Sequence, residues 1–424
     1  RSCSELRVVE GKMILAAATL VLGFTPERNV AAGDNKVKIL NFETDDKNAA
    51  APPRPRVHVY DMPLSVSFEY DEARPRLKPF ESYTGGYRQY RTEALIPELV
   101  RASAHYEPDP DKADLFLVPF RGLARFYKHR GEPGGLEKVD AEYVAAVQWL
   151  EAQPGGFFRS RPADHMWIFG SGRGASIFPS WREHIADCIF IGPEGDERTG
   201  QVAPHDKDVI VPGYFAAAPP AVQSAALKSQ AVRPILAHFR GSYTSARPGE
   251  EDFSEGVRLA LMRATTAFRL PRHVMARKLS SGVGAYKASP FVVSNASIDP
   301  ESYAREMQNA DFCLCPMGSS SWTLRIYQAI ASGCIPVLLS DHISLPFDYT
   351  DSPVDWRKIA IKWPQRDVTG LLAHLCSWSE ADIAATRARV LNTAPMLLWN
   401  GPDSGALAQT MRYLTTDRPS HRPS

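Results

Sequence analysis

Asp311-Phe-Cys-Leu-Cys-Pro-Met-Gly-Ser-Ser-Ser-Trp-Thr-Leu-Arg-Ile-Tyr-Gln-Ala-Ile-Ala-Ser-Gly-Cys-Ile-Pro-Val-Leu-Leu-Ser340 is the stretch on which the fold turns. Its apolar run ends at Pro316, and the small residues Gly318 to Ser321 (Gly318, Ser319, Ser320, Ser321) form a loop. Trp322 to Ser332 reads as a helix, with Ser320 or Ser321 as N-cap and Gly333 as a left-handed stop. Cys334 to Leu339 is a second apolar run, so the unit is strand, loop, helix, parallel strand. Such a loop aims backbone N–H groups and the positive helix end at one spot beyond the strand's carboxyl end, where open α/β sheets hold anions. Arg325, on the first full turn, can pair with diphosphate oxygens. Gln328 follows at i+3 on the same face, its amide suited to ribose hydroxyls. The plain alternative is a capped helix with a surface arginine.

Upstream, Arg233 to Phe239 reads as a strand closed by Arg240-Gly241, which points Arg240 at the same carboxyl edge. Pro290 to Ser294 is another strand, with a helix near Ser302 to Asn309. The first half repeats the alternation: strands at Arg56 to Tyr60, Ala113 to Phe120, His165 to Phe169 and Asp208 to Pro212, helices at Arg91 to Ser103 and Glu137 to Ala152. Alternation of this kind indicates parallel, doubly wound sheets. The length of 424 residues suits two such domains. The expected organisation is an apolar segment and stem over 1–55, Rossmann-like domains over 56–218 and 219–400 facing across a cleft, and a tail over 401–424. Pro219 to Arg233 is the expected crossing between the halves.

The formal net charge of +1 argues against a nucleic-acid partner. Of the six cysteines, only Cys313 and Cys315 lie close together, and no second pair completes a zinc framework. In their apolar run both read as buried core thiols, although a luminal protein can carry a disulfide whose pairing is unreadable here. Met13 to Phe24 is apolar but shorter than the ~20 residues that span a bilayer. It suits a signal-peptide or anchor remnant and a buried element equally.

Phe312-Cys-Leu-Cys-Pro-Met-Gly318, Arg325, Gly333-Cys-Ile-Pro-Val337 and Leu345-Pro-Phe347 together resemble the exostosin-like glycosyltransferase family. Val57-His-Val-Tyr-Asp-Met-Pro63, Ala113 to Phe120, Asp164-His165 and Lys207 to Pro212 fall in the family's order, so the resemblance covers about residues 56 to 375. It implies a GT-B architecture, a nucleotide-sugar donor held by the C-terminal half, inversion at the anomeric carbon and no obligatory metal or other cofactor. Carried over, Arg240 and Arg325 are diphosphate candidates, with Gly241, Pro316, the Gly318 to Ser321 loop and Gln328 around them. Many relatives have an acidic residue near Gln328, where glutamine brings no charge.

Asp109-Pro-Asp111 superficially matches a metal-binding D-x-D but reads as a turn before a strand. Gly170-Ser-Gly-Arg-Gly174 follows a strand and is either a turn or a second contact across the cleft. Inversion needs a general base, for which Asp61 and Asp164, beside the ends of N-terminal strands, are candidates, while His165 reads as structural. Asn295-Ala-Ser297 is a glycosylation sequon. The reading is an inverting transferase using a nucleotide sugar, UDP-linked, and a glycan acceptor. Its expected setting is the Golgi or another secretory lumen, with membrane anchoring and homo- or hetero-oligomerisation with a related transferase left open. The alternative is a non-catalytic subunit that binds carbohydrate or stabilises a partner transferase.

Overall fold

The protein is represented by a computed structural model that describes residues 53–63, 90–193, 195–196, 207–215, 233–243, 253–279, 291–349, 351–399 and 405–416. The apolar segment Met13 to Phe24, nearly all of the stem and the crossing near Pro219 lie outside these residues.

Strands β1 (Val57–Val59), β2 (Leu115–Val118), β3 (His165–Ile168), β4 (Ile189–Gly192) and β5 (Val209–Ile210) pair in parallel, side by side in chain order. Both faces are covered, which is why a run such as Leu115–Val118 is apolar at every position rather than alternating. Helices α1 (Thr92–Arg101), α2 (Gly122–His129) and α3 (Gly135–Glu151) belong to this half. Tyr143 and Val147 of α3 share a core with Phe116 and Trp167 on one face, while Leu95 and Leu99 of α1 share one with Leu117 and Ile168 on the other.

Strands β6 (Ile235–Arg240), β7 (Phe291–Ser294), β8 (Ala310–Pro316), β9 (Ile335–Leu339) and β10 (Ile361–Lys362) form a second parallel sheet in the order β10-β9-β8-β6-β7. Helices α4 (Val257–Ala267), α5 (Pro300–Gln308), α6 (Arg325–Ala331), α7 (Val368–Ser377) and α8 (Glu380–Thr393) surround it. The chain moves outward from β6 to β7, then returns to place β8 on the other side of β6. That reversal opens a crevice at the carboxyl ends of β6 and β8. Two Rossmann-like domains of this kind, facing across a cleft, make the GT-B arrangement.

Three expectations need correction. Residues 405–416 are not a tail but helix α9 (Gly405–Thr416), whose Leu407, Met411 and Leu414 join the core of the first sheet with Val57 and Leu115. The indole of Trp399, just before it, donates to the Pro212 carbonyl at 2.8 Å. Cys313 is not a free thiol: it is bonded to Cys334, tying β8 to the residue before β9 with Cα atoms 5.7 Å apart. Cys315 does remain a free, buried thiol, pushed up to about 12 by burial. Finally, α6 begins at Arg325, three residues later than its composition suggests, and neither serine caps it. The Ser321 hydroxyl instead donates to Asp196, a buried carboxylate of the first domain. Trp322 is buried in the lengthened loop.

Among the described residues no helix is long and apolar enough to cross a membrane. Asp109 accepts from the Asp111 backbone and closes the one-turn helix Pro110–Lys112, as a turn should.

Candidate donor site in the interdomain cleft

A cavity of about 670 Å³ lies where the two carboxyl edges meet. One wall comes from the loop after β8 and the start of α6: Gly318, Ser319, Ser320, Trp322, Arg325 and Gln328. The opposite wall comes from the first domain: Tyr90, the α2 segment with Phe126 and Tyr127, Arg130, and the Ser171-Gly172-Arg173 loop after β3. The walls approach so closely that a Cβ at Gly172 would lie 2.1 Å from Ser320 Oγ and 2.9 Å from Trp322 Nε1. That is the physical reason for glycine at the centre of Gly170 to Gly174.

Four arginines line the cavity, Arg130, Arg173, Arg258 and Arg325, and no described lining residue is Asp, Glu or His. Arg325 is 9% exposed. Its Nη1 donates to Tyr303 Oη at 2.7 Å and its Nη2 to the Arg240 carbonyl, and the guanidinium stands 4.5 Å over the Phe239 ring. Its buried Nε has no hydrogen-bond partner among the described residues. Arg258, near the start of α4, is also 9% exposed and donates to the Met317 carbonyl at 2.9 Å and the Ser242 carbonyl at 3.2 Å. Burial, then the charge of Arg325, pull Arg258 down to about 10. Carbonyls, a phenol and rings position these two cations, but no carboxylate among the described residues neutralises either. Burying like charges together is costly unless an anion completes the site.

Tyr303 of α5 links the pair to Gln328. Its hydroxyl accepts from Arg325 and donates to Gln328 Oε1 at 3.2 Å, which turns the amide nitrogen of Gln328 to other partners. One turn further along α5, Glu306 accepts from Arg240 at 2.5 and 2.7 Å and from His238 at 3.1 Å. Burial pushes Glu306 up, but the hydrogen bonds and charge of Arg240 and His238 outweigh it and bring the carboxyl to about 2.

The expected site residues divide. Gly318, Ser319, Ser320, Arg325 and Gln328 line one cavity. Pro316 ends β8 just ahead of that loop, and Ser321 is turned toward Asp196. Gly241 lies beneath Arg325, where a Cβ would stand 3.0 Å from Nη2. Arg240 does not line the cavity: its guanidinium is held by Glu306, and what it offers the site is a carbonyl for Arg325. Asp61 follows β1 but its side chain is 92% exposed and paired with Arg101 at 2.9 Å. Asp164 does not face the cleft, because it precedes β3 at the amino edge, where Arg161 holds it at 2.8 Å. Neither aspartate lines the cavity. His165 is a core residue: Nδ1 donates to the Arg161 carbonyl at 2.8 Å, so Nε2 accepts from Tyr60 Oη at 2.7 Å. Burial pulls it down to about 4.

Arg258 carries no local sequence signal, since it enters the site only through the packing of α4. Glu93 of α1 was equally silent. It is 1% exposed and accepts from the backbone N–H of Leu123 at 3.0 Å and of Gly170 at 3.2 Å. Burial pushes its carboxyl up to about 8 against those hydrogen bonds. Glu93 therefore clamps together the segments that lead into the first domain's wall, three residues after Tyr90.

The two parallel five-stranded sheets, the second reversed between β6 and β8, and the cleft between them define a GT-B protein. The profile of the Exostosin GT47 domain matches residues 51–376, and the chain belongs to this family of glycosyltransferases. A probable glucuronosyltransferase of Oryza sativa subsp. japonica is 28% identical over 333 residues, covering 75% of this chain and 69% of that protein. A probable glucuronoxylan glucuronosyltransferase of Arabidopsis thaliana is 26% identical over 334 residues, 74% of this chain but only 62% of that protein. A probable beta-1,4-xylosyltransferase of Arabidopsis thaliana is 25% identical over 329 residues, 74% of this chain and 69% of that protein. The Candida albicans trehalose-6-phosphate phosphatase N-terminal domain superposes loosely, with a TM-score of 0.40 at 9% identity over 87% of this chain and 97% of that one.

Proposed function

We propose that the protein transfers a sugar from a UDP-linked donor to a hydroxyl of a polysaccharide or glycoprotein glycan, with inversion at the anomeric carbon. The single observation that carries this reading is the Arg258–Arg325 pair, two buried cations in the cleft without a neutralising carboxylate among the described residues. As the glycosidic bond breaks, negative charge develops on the departing diphosphate, and two fixed guanidinium groups in a low-dielectric site stabilise it without reorganisation. Backbone and hydroxyl groups of Gly318, Ser319 and Ser320 cradle the phosphates, and Gln328, oriented by Tyr303, meets the ribose. The arginine pair supplies the charge, so no metal is obligatory in this reading. The plant relatives named as glucuronosyl- and xylosyltransferases support a cell-wall polysaccharide as acceptor. The Cys313–Cys334 disulfide supports an oxidising lumen, and we place the protein in the Golgi, anchored through its N-terminal segment and open to pairing with a related transferase.

Hydrolysis of a panel of UDP-sugars in the presence of chelator, with UDP affinity measured by calorimetry, tests this reading. One sugar nucleotide should turn over, and Arg258→Ala and Arg325→Ala should lose it. Absence of UDP binding in the unaltered protein would overturn the reading. UDP or glycan binding without any turnover would favour the second reading, a non-catalytic subunit, which the uncharged Gln328 at the ribose position supports.

A further inference from the structure

The first domain's wall has chemistry that the donor diphosphate does not use. Arg130 and Arg173 are exposed at the cavity, and each stands over an aromatic ring: Arg173 5.0 Å over Phe126, Arg130 5.8 Å over Tyr127. The rings themselves form a cluster, with Phe126 5.6 Å from Tyr127 and Tyr90 6.1 Å from Tyr127. No carboxylate among the described residues forms an ion pair with either arginine, although acidic side chains stand nearby: Glu132 and Glu142 are occupied by His129, Lys138 and Arg125. A guanidinium lying on a ring keeps its N–H fork free at the edge, the geometry that takes a carboxylate in two parallel hydrogen bonds. Aromatic faces beside such a fork suit the apolar face of a pyranose ring.

We infer that this wall is the acceptor subsite and that it takes an acidic glycan, one whose sugars carry carboxylates. The inference rests on the proposed transfer reaction. Two charges of the donor diphosphate are met by the buried Arg258–Arg325 pair in the second domain. In-line inversion requires the acceptor hydroxyl to approach from the side opposite the leaving group. That side is the wall of Tyr90, Phe126, Tyr127, Arg130 and Arg173. Exposure of both arginines at the mouth suits a long chain that enters from solvent, whereas the donor's cations are buried.

The test is calorimetric titration of the full chain, with UDP present, using oligogalacturonate and the same oligosaccharide fully methyl-esterified. The acid form should bind at least about tenfold more tightly at low salt, with the preference shrinking as salt rises. In the double variant Arg130→Gln/Arg173→Gln the two forms should bind within about threefold of each other, and Arg130→Lys/Arg173→Lys should restore part of the preference. A melting curve establishes that the variants fold. Equal affinity for both forms in the unaltered protein, or a preference untouched by the double substitution, overturns the inference. So does a dependence on these arginines that appears between UDP-glucuronate and UDP-glucose instead, because it would place the carboxylate on the donor. A sulfated oligosaccharide that outcompetes the uronate would overturn the assignment to carboxylates. UDP binding in the unaltered protein reports separately on the transfer reading: its absence with the acid preference intact sinks that reading and the acceptor role with it, and leaves the wall as an acidic-glycan site.

Discussion

The two sheets have five parallel strands each, yet they serve the cleft in different ways. The second reverses direction between β6 and β8, so two strand ends part and leave a crevice in which α4 and α6 place Arg258 and Arg325, held by loop carbonyls and by Tyr303 of α5. The first never reverses, its strands lying in chain order. Lacking such a crevice, it presents a wall of helix and loop brought together by one buried carboxyl, Glu93. Charge on the reversing side is buried and cross-tied, and charge on the other side is exposed. In the proposed reaction the reversing side holds one small anion in one pose, and the other side meets a larger partner along its length.

The largest effect that can break this comparison is expected at Arg325. Arg325→Ala should lower donor turnover by about 100- to 1,000-fold with little change in melting temperature, as loss of a fixed charge-stabilising donor does elsewhere. Steady-state kinetics on the active UDP-sugar would decide it, and turnover within a few-fold of the unaltered protein would remove the donor site from the reversing sheet.

Glu93→Ala should act through folding instead, costing about 2 to 4 kcal/mol because two buried N–H groups lose their acceptor. Denaturant unfolding would show this, whereas Glu93→Gln should keep most of the stability. If the alanine variant unfolds like the parent, Glu93 is not the clamp of the first wall.

Arg240→Ala should weaken UDP by only about tenfold, less than Arg325→Ala, since Arg240 reaches the site through its carbonyl and through Glu306. Matching losses in the two variants would restore Arg240 to the cavity.

The smallest effect is in pH dependence. Glu93 has a folded value raised to about 8 from an ordinary 4.5, so its contribution is complete below 4.5 and is lost as pH rises toward 8. His165 is held near 4 against an ordinary 6.5, so its contribution is complete above 6.5 and is lost as pH falls toward 4. The slopes oppose each other between 4.5 and 6.5, and of this pair only Glu93 acts above 6.5. The melting temperature should therefore decline from pH 6.5 to 8, and Glu93→Gln should flatten that decline.

Much of the reversing half was legible because its signals are local. The apolar runs of β8 and β9, the small-residue loop and Gly333 all act within one stretch of chain, and the structure places Arg325 and Gln328 together as that stretch implies. Where reading failed, the deciding partner lay far away. Ser321 looks like a helix cap until Asp196, 125 residues distant, takes its hydroxyl. Cys313 looks like a core thiol until adjacent strands bring Cys334 beside it. Arg240 points toward the cleft by its position in β6, but Glu306 on α5, 66 residues on, captures it. Arg258 and Glu93 have no motif around them, because their roles exist only once separate elements pack.

Helix α9 sets an order of events on the ribosome. The core of the first sheet includes Leu407, Met411 and Leu414, so a domain whose strands emerge early lacks part of its apolar cover until residues near 414 have been made. Until then Val57 and Leu115 face an incomplete partner, and the nascent half exposes a sticky surface that invites chaperones. Synthesis of α9 is thus also the step that closes the first domain, and a stop codon before it would be felt most around β1 and β2, more than 280 residues upstream.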